Sequence, residues 1–317
     1  MNTEFRPRHP LLVLVWSFGI LVAMNLHVYV GTAVGALVSG QSFKSIISGE
    51  AKGLDVSFTQ GLVAAFIGLP LAYLVIRFLW RRSFDWMRLR FNGRQALTGL
   101  VLGLVSPLVV LAVTSAFVEV HVTASPSRLN SSEIAMIIVS TLCWMSFVAF
   151  SEETVFRGMV VREWGARWGW IIGTVLGGLF FGAMHLKGLG GSPVLSVILV
   201  LVAGVAVTTM FVALYVRGRS LWLPIGFHVG WNFCLQAFLG VTISGKEPEY
   251  ALFNHSVSGP GWLTGGEFGI EASLIATAFY LILALAVLGL RRHSPLLSSK
   301  PETPAAADLR LTHSGCR

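Results

Sequence analysis

Charged side chains are scarce in this chain. Asp, Glu, Lys and Arg make up 12% of its 317 residues, whereas a soluble globular domain carries about 25%. Hydrophobic residues make up 54%, and the mean hydropathy is +0.73. So few charges cannot cover a water-soluble surface of this size, which excludes a cytosolic enzyme, a disordered chain and a nucleic-acid-binding protein. We attribute the net charge of +8 to membrane topology, because Lys and Arg accumulate in cytoplasmic loops.

Cysteine is also rare. Cys143 and Cys234 lie in apolar runs, Cys316 lies near the C-terminus, and no two are at metal-ligand spacing. A disulfide framework and a zinc ribbon are therefore excluded. The sequence also lacks the His-Glu-x-x-His signature of zinc proteases, a Gly-x-Ser-x-Gly nucleophile motif and paired intramembrane aspartates.

Long apolar runs, in contrast, are frequent in this chain. A bilayer-spanning helix needs about 20 mostly apolar residues, and eight stretches approach or exceed that length. They predict an all-α integral membrane protein, a multi-pass bundle of about eight transmembrane helices with cytoplasmic N- and C-termini. In a prokaryote the location would be the plasma (inner) membrane. The predicted spans are Leu11–Leu37, Gly61–Leu79, Ala96–Phe117, Ile134–Phe150 and beyond, Ile171–Leu186, Val194–Val216, Leu221–Leu239 and Ile270–Leu290.

The basic residues support this count of spans. With the N-terminus inside, 18 of the 23 Lys and Arg residues fall on the cytoplasmic side, and a wrong count would scramble this alternation. The first span is too long for a signal-peptide core, so we expect it to be retained. The five basic residues predicted to lie outside are Lys44, Lys52, Arg128, Lys187 and Lys246.

Four regions follow from this pattern. Residues 1–133 hold the first three helices and their loops, and residues 134–240 form a helical catalytic core. Residues 241–293 hold an outer loop and the last transmembrane helix, and residues 294–317 form a disordered cytoplasmic tail. Glycines spaced four apart predict close helix contacts, at Gly173, Gly177, Gly178 and Gly182 in the fifth span and at Gly226 and Gly230 in the seventh.

Two adjacent carboxylates continue an apolar run. A charge at the bilayer centre costs about 3 kcal/mol or more, so Glu152 and Glu153 need compensation. Glu153 and Arg157 are four residues apart, on one helical face, in the favoured acid-first order. Glu152 points about 100° away around the helix. The sequence therefore predicts one paired carboxylate and one that is left over for another role.

Histidines mark two further spans. His185 ends Phe181-Gly-Ala-Met-His185, and His228 begins His228-Val-Gly-Trp-Asn232, so His228 and Asn232 share a helical face. Glu152 and His185 are 33 residues apart, and a turn midway between them would place both at one height in an antiparallel hairpin. His228 reaches the same level from its own loop. The three side chains are therefore predicted to converge.

These motifs, with Glu152-Glu153-x-x-x-Arg157 as the first, resemble those of the CAAX protease and bacteriocin-processing family of intramembrane proteases. The resemblance covers about Ile134–Leu239. It implies an endopeptidase that acts on a membrane-associated protein or peptide, with the lipid bilayer as its surroundings and no nucleic acid as a partner.

The resemblance also implies roles for individual residues. Glu152 would be the general base on a water that His185 helps to hold, and His228 and Asn232 would stabilise the oxyanion. A neutral imidazole and a carboxamide can both donate hydrogen bonds to such an oxyanion. Glu153, Arg157 and Phe181 would support the site.

The sequence leaves the metal and the class of protein open. Glu152, His185 and His228 could bind zinc with a free water position. We favour glutamate-activated water without an obligatory metal over this zinc-dependent version. A transporter could use the same polar residues to relay ions or protons, although the chain lacks two matching halves. A non-catalytic membrane scaffold or immunity protein is the other alternative.

Overall fold

The computed structural model describes residues 7–48, 50–80, 82–123, 129–189 and 194–289. Within these ranges, six helices are long and apolar enough to cross a membrane, which confirms a helical integral membrane protein. The seventh and eighth predicted spans are shorter helices here, so the count of eight and the orientation of the termini stay predictions.

The six long helices are α1, Pro10–Val38; α2, Leu54–Trp80; α3, Gly93–Thr114; α4, Ser131–Trp168; α5, Trp170–Leu189; and α6, Val194–Gly218. The shorter two are α7, Trp222–Phe233, continued by the π-helical turn Cys234–Leu239, and α8, Leu274–Gly289. The predicted tail, residues 294–317, lies outside the described residues.

Several of these helices are irregular. α1 is interrupted at Leu26, and α5 ends in the 3₁₀ turn Leu186–Leu189. π-helical segments lie within α2, at Ala64–Gly68 and Ile76–Trp80, and within α4, at Glu153–Val161. The connections contain the short helices Phe43–Ser48, Phe84–Met87 and Gly261–Thr264 and the 3₁₀ turns Gly266–Phe268 and Ile270–Ala272.

The start of α4 is fixed by a capping box. The Asn130 side chain accepts hydrogen bonds from the backbone N–H groups of Ser132 and Glu133, and the Glu133 carboxylate accepts one from the Asn130 backbone N–H at 2.8 Å. Both partners satisfy N–H groups that have no acceptor within the helix. This cap therefore fixes the residue at which α4 begins, and so how far along the helix Glu152 lies.

Helices that follow one another run antiparallel where glycine contacts show it, as in the α1–α2, α4–α5 and α5–α6 pairs, so the connections gather at two ends. At one end, which we call the arginine-rich end, the Leu221 N–H donates to the Arg88 carbonyl at 3.0 Å and the Gln95 side chain donates to the Gly218 carbonyl at 2.7 Å. At the other, which we call the loop end, residues 186–189 pack against residues 242–246.

A two-stranded sheet at the loop end departs from the all-α prediction. β1, Glu119–Thr123, pairs antiparallel with β2, Asn254–Ser258, in a register that sets Glu119 opposite Ser258 and His121 opposite Ser256. Each strand has only five residues, too few to stand out beside the apolar spans. Their pairing joins segments about 130 residues apart, which local pattern does not reveal.

Glycines bring α3 and α7 into backbone contact. A Cβ atom on Gly226 would lie 2.1 Å from the Ala96 carbonyl oxygen, and one on Gly103 would lie 2.0 Å from the Phe227 carbonyl oxygen. No side chain fits in such a contact, so the predicted close approach at Gly226 and Gly230 is confirmed. The contact fixes the rotation of α7, the helix that carries His228 and Asn232.

The predicted glycine row of the fifth span is also used for packing. A Cβ on Gly178 would lie 2.6 Å from the Cα of Val205 in α6, and one on Gly173 would lie 2.5 Å from the backbone nitrogen of Gly165 in α4. α5 is thus held against both neighbours by direct backbone approach. Its last α-helical residue, His185, is placed by this packing.

The predicted orientation can be measured with topology reporters. A reporter fused after Arg292 is expected to signal cytoplasm and one inserted near Glu247 to signal the outside, because the arginine-rich end should face the cytoplasm. Paired alkaline phosphatase and fluorescent-protein fusions measure this directly. The opposite signal at either position would contradict the eight-span topology.

Candidate active site

Glu152 and Glu153 lie where α4 changes from α-helix to π-helix. Ser131–Glu152 is α-helical, and Glu153–Val161 is π-helical. π-helical turns are rare and frequently occur at functional sites, because the wider turn redirects side chains. The sequence predicts ordinary α-helix here, because the spacing of Glu153-x-x-x-Arg157 also suits an α-helix.

The Glu152 carboxylate faces two imidazoles. Its oxygens lie 4.0 Å from Nε2 of His185 and 4.0 Å from Nε2 of His228. The predicted convergence of three separate helices is therefore confirmed. A separation of 4.0 Å is too long for a direct hydrogen bond, and at such a distance a bridging water is the natural partner. The Glu152 side chain is 22% exposed, so water can reach it.

Glu153 is fully buried and binds two partners. Its Oε1 atom accepts hydrogen bonds from Nη1 of Arg157 and from Nδ1 of His228, each at 2.9 Å. The predicted Glu153–Arg157 pair is thus confirmed, and its link to His228 is new. Glu153 therefore also orients an imidazole of the site.

The Arg157 guanidinium has several partners besides Glu153. Its Nη2 donates to the Thr208 hydroxyl at 3.1 Å, and its guanidinium lies 4.5 Å from the ring centre of Phe181 and 4.6 Å from that of Phe211. Aromatic faces attract cations, most strongly where water is excluded. Phe181, predicted as a supporting residue, contributes one of these faces.

The hydrogen bonds at Nδ1 decide what each imidazole presents to Glu152. Nδ1 of His185 donates to the Phe181 carbonyl at 2.8 Å, because a carbonyl can only accept. Nδ1 of His228 donates to the Glu153 carboxylate. In the neutral form, both histidines therefore turn a lone pair on Nε2 toward Glu152. With Nδ1 donating to Glu153, His228 can donate from Nε2 only as an imidazolium.

The three groups open into a cavity of about 110 Å³. This volume is enough for several ordered waters. Asn232, one helical turn from His228 and largely buried, also lines the cavity. All four residues predicted to be catalytic thus meet at one cavity, as the sequence analysis predicted; their roles are not tested by this arrangement.

One residue of the cavity, Glu271, is not predicted from the sequence. Glu271, in the 3₁₀ turn that precedes α8, accepts hydrogen bonds on Oε1 from the Ser244 backbone N–H at 2.7 Å and from the Ser244 hydroxyl at 2.8 Å. Burial raises the pKa of the Glu271 carboxyl, while the Ser244 hydrogen bonds and the nearby His185 and His228 partly oppose that shift. In the sequence it is one acid among several at span edges, with no motif to mark it.

The side chains around the cavity include possible metal ligands. Two imidazole nitrogens and a carboxylate suit zinc chemically. Among the described residues, however, no group of three His, Cys, Asp or Glu side chains is arranged to hold a metal ion. As they stand, these three side chains do not fit a metal centre.

The site has the polar groups of a hydrolase that acts inside the membrane. Residues 131–234, about a third of the chain, match the family model described as Type II CAAX prenyl endopeptidase Rce1-like. This region is therefore similar to the Rce1-like family, which confirms the family resemblance of the motifs. It contains Glu152, His185, His228 and Asn232. Comparisons with curated proteins and with solved structures give no match.

Proposed function

We propose that this protein is an intramembrane endopeptidase that hydrolyses a peptide bond of a membrane-associated protein or peptide by means of water activated by Glu152. The observation that carries the proposal is the placement of the Glu152 carboxylate 4.0 Å from two imidazole nitrogens at one cavity. These groups can hold a water between them, at a level that apolar helices otherwise fill.

The first chemical step forms the tetrahedral intermediate. Glu152 takes a proton from the water, and the water oxygen attacks the carbonyl carbon of the scissile bond. Nε2 of His185 accepts the second hydrogen bond of that water, as its fixed tautomer allows. The carbonyl oxygen gains a negative charge.

Stabilisation of that charge falls mainly to Asn232. Its carboxamide N–H groups donate in any protonation state, whereas His228 donates from Nε2 only as an imidazolium. The intermediate then collapses, the C–N bond breaks, and the leaving amine takes the proton from Glu152. The products are a carboxylic acid and an amine.

A zinc-dependent version remains the second candidate, on one observation. Nδ1 of each histidine is held by a carbonyl or carboxylate oxygen, the kind of contact that orients metal-binding imidazoles. A small inward movement of the three side chains would be needed to enclose an ion.

Asn232→Ala separates the two candidates. We expect it to lower kcat by about 10²–10³-fold with little change in KM, as for other single oxyanion donors, and the purified wild-type enzyme to keep its activity after chelation. Steady-state cleavage assays and metal analysis of purified protein measure these outcomes. Asn25→Ala, at an exposed position in α1, is the control.

Two results together would overturn this preference. They are full activity of Asn232→Ala and one tightly bound zinc ion per chain whose removal abolishes cleavage. Loss of that ion in His228→Ala would then identify His228 as a ligand.

A further inference from the structure

The loop end of the cavity is closed by three segments, residues 186–189, 242–246 and 265–272, which we call the cap. Glycines let these segments touch. A Cβ on Gly188 would lie 2.4 Å from the Ser244 carbonyl oxygen, and one on Gly269 would lie 2.1 Å from the Thr242 carbonyl oxygen. The Gly245 N–H also donates to the Phe268 carbonyl at 3.0 Å. The cap is therefore packed as one block.

This block holds Glu271 in place. Ser244 adopts a left-handed backbone conformation, with φ of 49°, which is unfavourable for a residue with a side chain. In that conformation both its N–H and its hydroxyl bind Oε1 of Glu271. The Tyr280 hydroxyl donates to the Glu271 backbone carbonyl at 3.2 Å. Strained backbone of this kind is retained where it positions a functional group.

The charges at the cavity favour a cation. Its described lining includes two carboxylates, those of Glu152 and Glu271, and no lysine or arginine. The nearest guanidinium, that of Arg157, is fully buried and bound to Glu153 and Thr208. A carboxylate has about four acceptor positions, and Ser244 occupies two of those on Glu271. A cationic group entering the cavity can use the others.

We propose that Glu271 is a specificity residue, whose carboxylate binds the side chain of a lysine or arginine that flanks the scissile bond of the substrate. This inference rests on the proposed protease function and deepens it.

The test uses the full-length enzyme in proteoliposomes and membrane-anchored peptides built on a sequence that it cleaves, with the cleavage site mapped by mass spectrometry. Residues on either side of that site are replaced in turn by Lys, Arg, Gln or Glu. At one position, kcat/KM for Lys or Arg is expected to exceed that for Gln by about 10- to 100-fold, the range of a charged hydrogen bond. Glu271→Gln should remove this preference and leave cleavage of the Gln peptide within about threefold.

Two matched variants interpret the result. Glu249→Gln changes an exposed carboxylate at the same end of the molecule, outside this cavity, and should keep the full preference. Ser244→Ala loosens the carboxylate but keeps its charge, so the preference should shrink and persist. Equal loss of all peptides in Glu271→Gln, or a wild-type enzyme indifferent to charge, would overturn the inference while the protease function stood. Cleavage of the parent peptide that persists in Glu152→Ala would refute the proposed protease mechanism, and the inference with it.

Discussion

Glu152→Ala is expected to abolish peptide cleavage, with a fall in kcat of at least about 10³-fold, and to leave the fold intact. General-base catalysis by a positioned side chain contributes about 10²–10⁴-fold, and no other described carboxylate lies within 4.0 Å of both imidazoles. Glu152 has no partner closer than 4.0 Å among its ion-pair contacts, so its removal strands no buried charge. Cleavage of a membrane-anchored reporter and thermal unfolding of the same preparation measure the two effects.

Glu152→Gln refines this experiment. It keeps the shape of the side chain but replaces one accepting oxygen by a donating NH2 group and cannot take a proton from water. It should therefore be as inactive as Glu152→Ala and should retain bound substrate for identification. Substantial turnover by Glu152→Gln would rule out Glu152 as the general base.

Glu153→Ala is expected to damage both stability and catalysis. It strands the Arg157 guanidinium, which is fully buried, and breaking a buried ion pair by removing one partner costs about 3–5 kcal/mol. It also removes the acceptor that orients His228. Unfolding in a denaturing detergent series measures the first effect, and kcat of the folded fraction measures the second.

A double variant separates the two effects. In Glu153→Ala with Arg157→Met, no unpaired charge remains, so most of the lost stability should return. Activity should not return, because His228 still lacks its carboxylate. If Glu153→Ala alone were as stable and as active as the wild type, the pairing seen in the structure would have no energetic importance.

The sequence allowed the main site to be predicted, because its members depend on local rules. The spacing of Glu153 and Arg157 fixes one helical face, and the 33 residues between Glu152 and His185 fit a hairpin of two antiparallel helices. In an apolar helix, a polar side chain is conspicuous because lipid offers it no partner. Motif, spacing and apolar context agree at these residues.

Other features depend on contacts that no local rule contains. The hydrogen bond from His228 to Glu153 requires a particular rotation of α7, which its glycine contact with α3 sets. Glu271 lies in a long connection without periodicity, and only the folding of that connection over the cavity gives it a role. The β1–β2 pairing likewise depends on which distant loops the helices bring together.

The buried Glu153–Arg157 pair has a consequence for the energetics of the reaction. Because the pair is neutral overall, Glu152 carries the net charge of this part of α4. During the attack that charge passes from Glu152 to the oxyanion a few ångströms away, and the total charge within the membrane does not change. The activation free energy therefore contains no term for bringing a new charge into lipid, and the fixed dipoles of the enzyme need little reorganisation. Hydrolysis can then proceed where bulk water is absent.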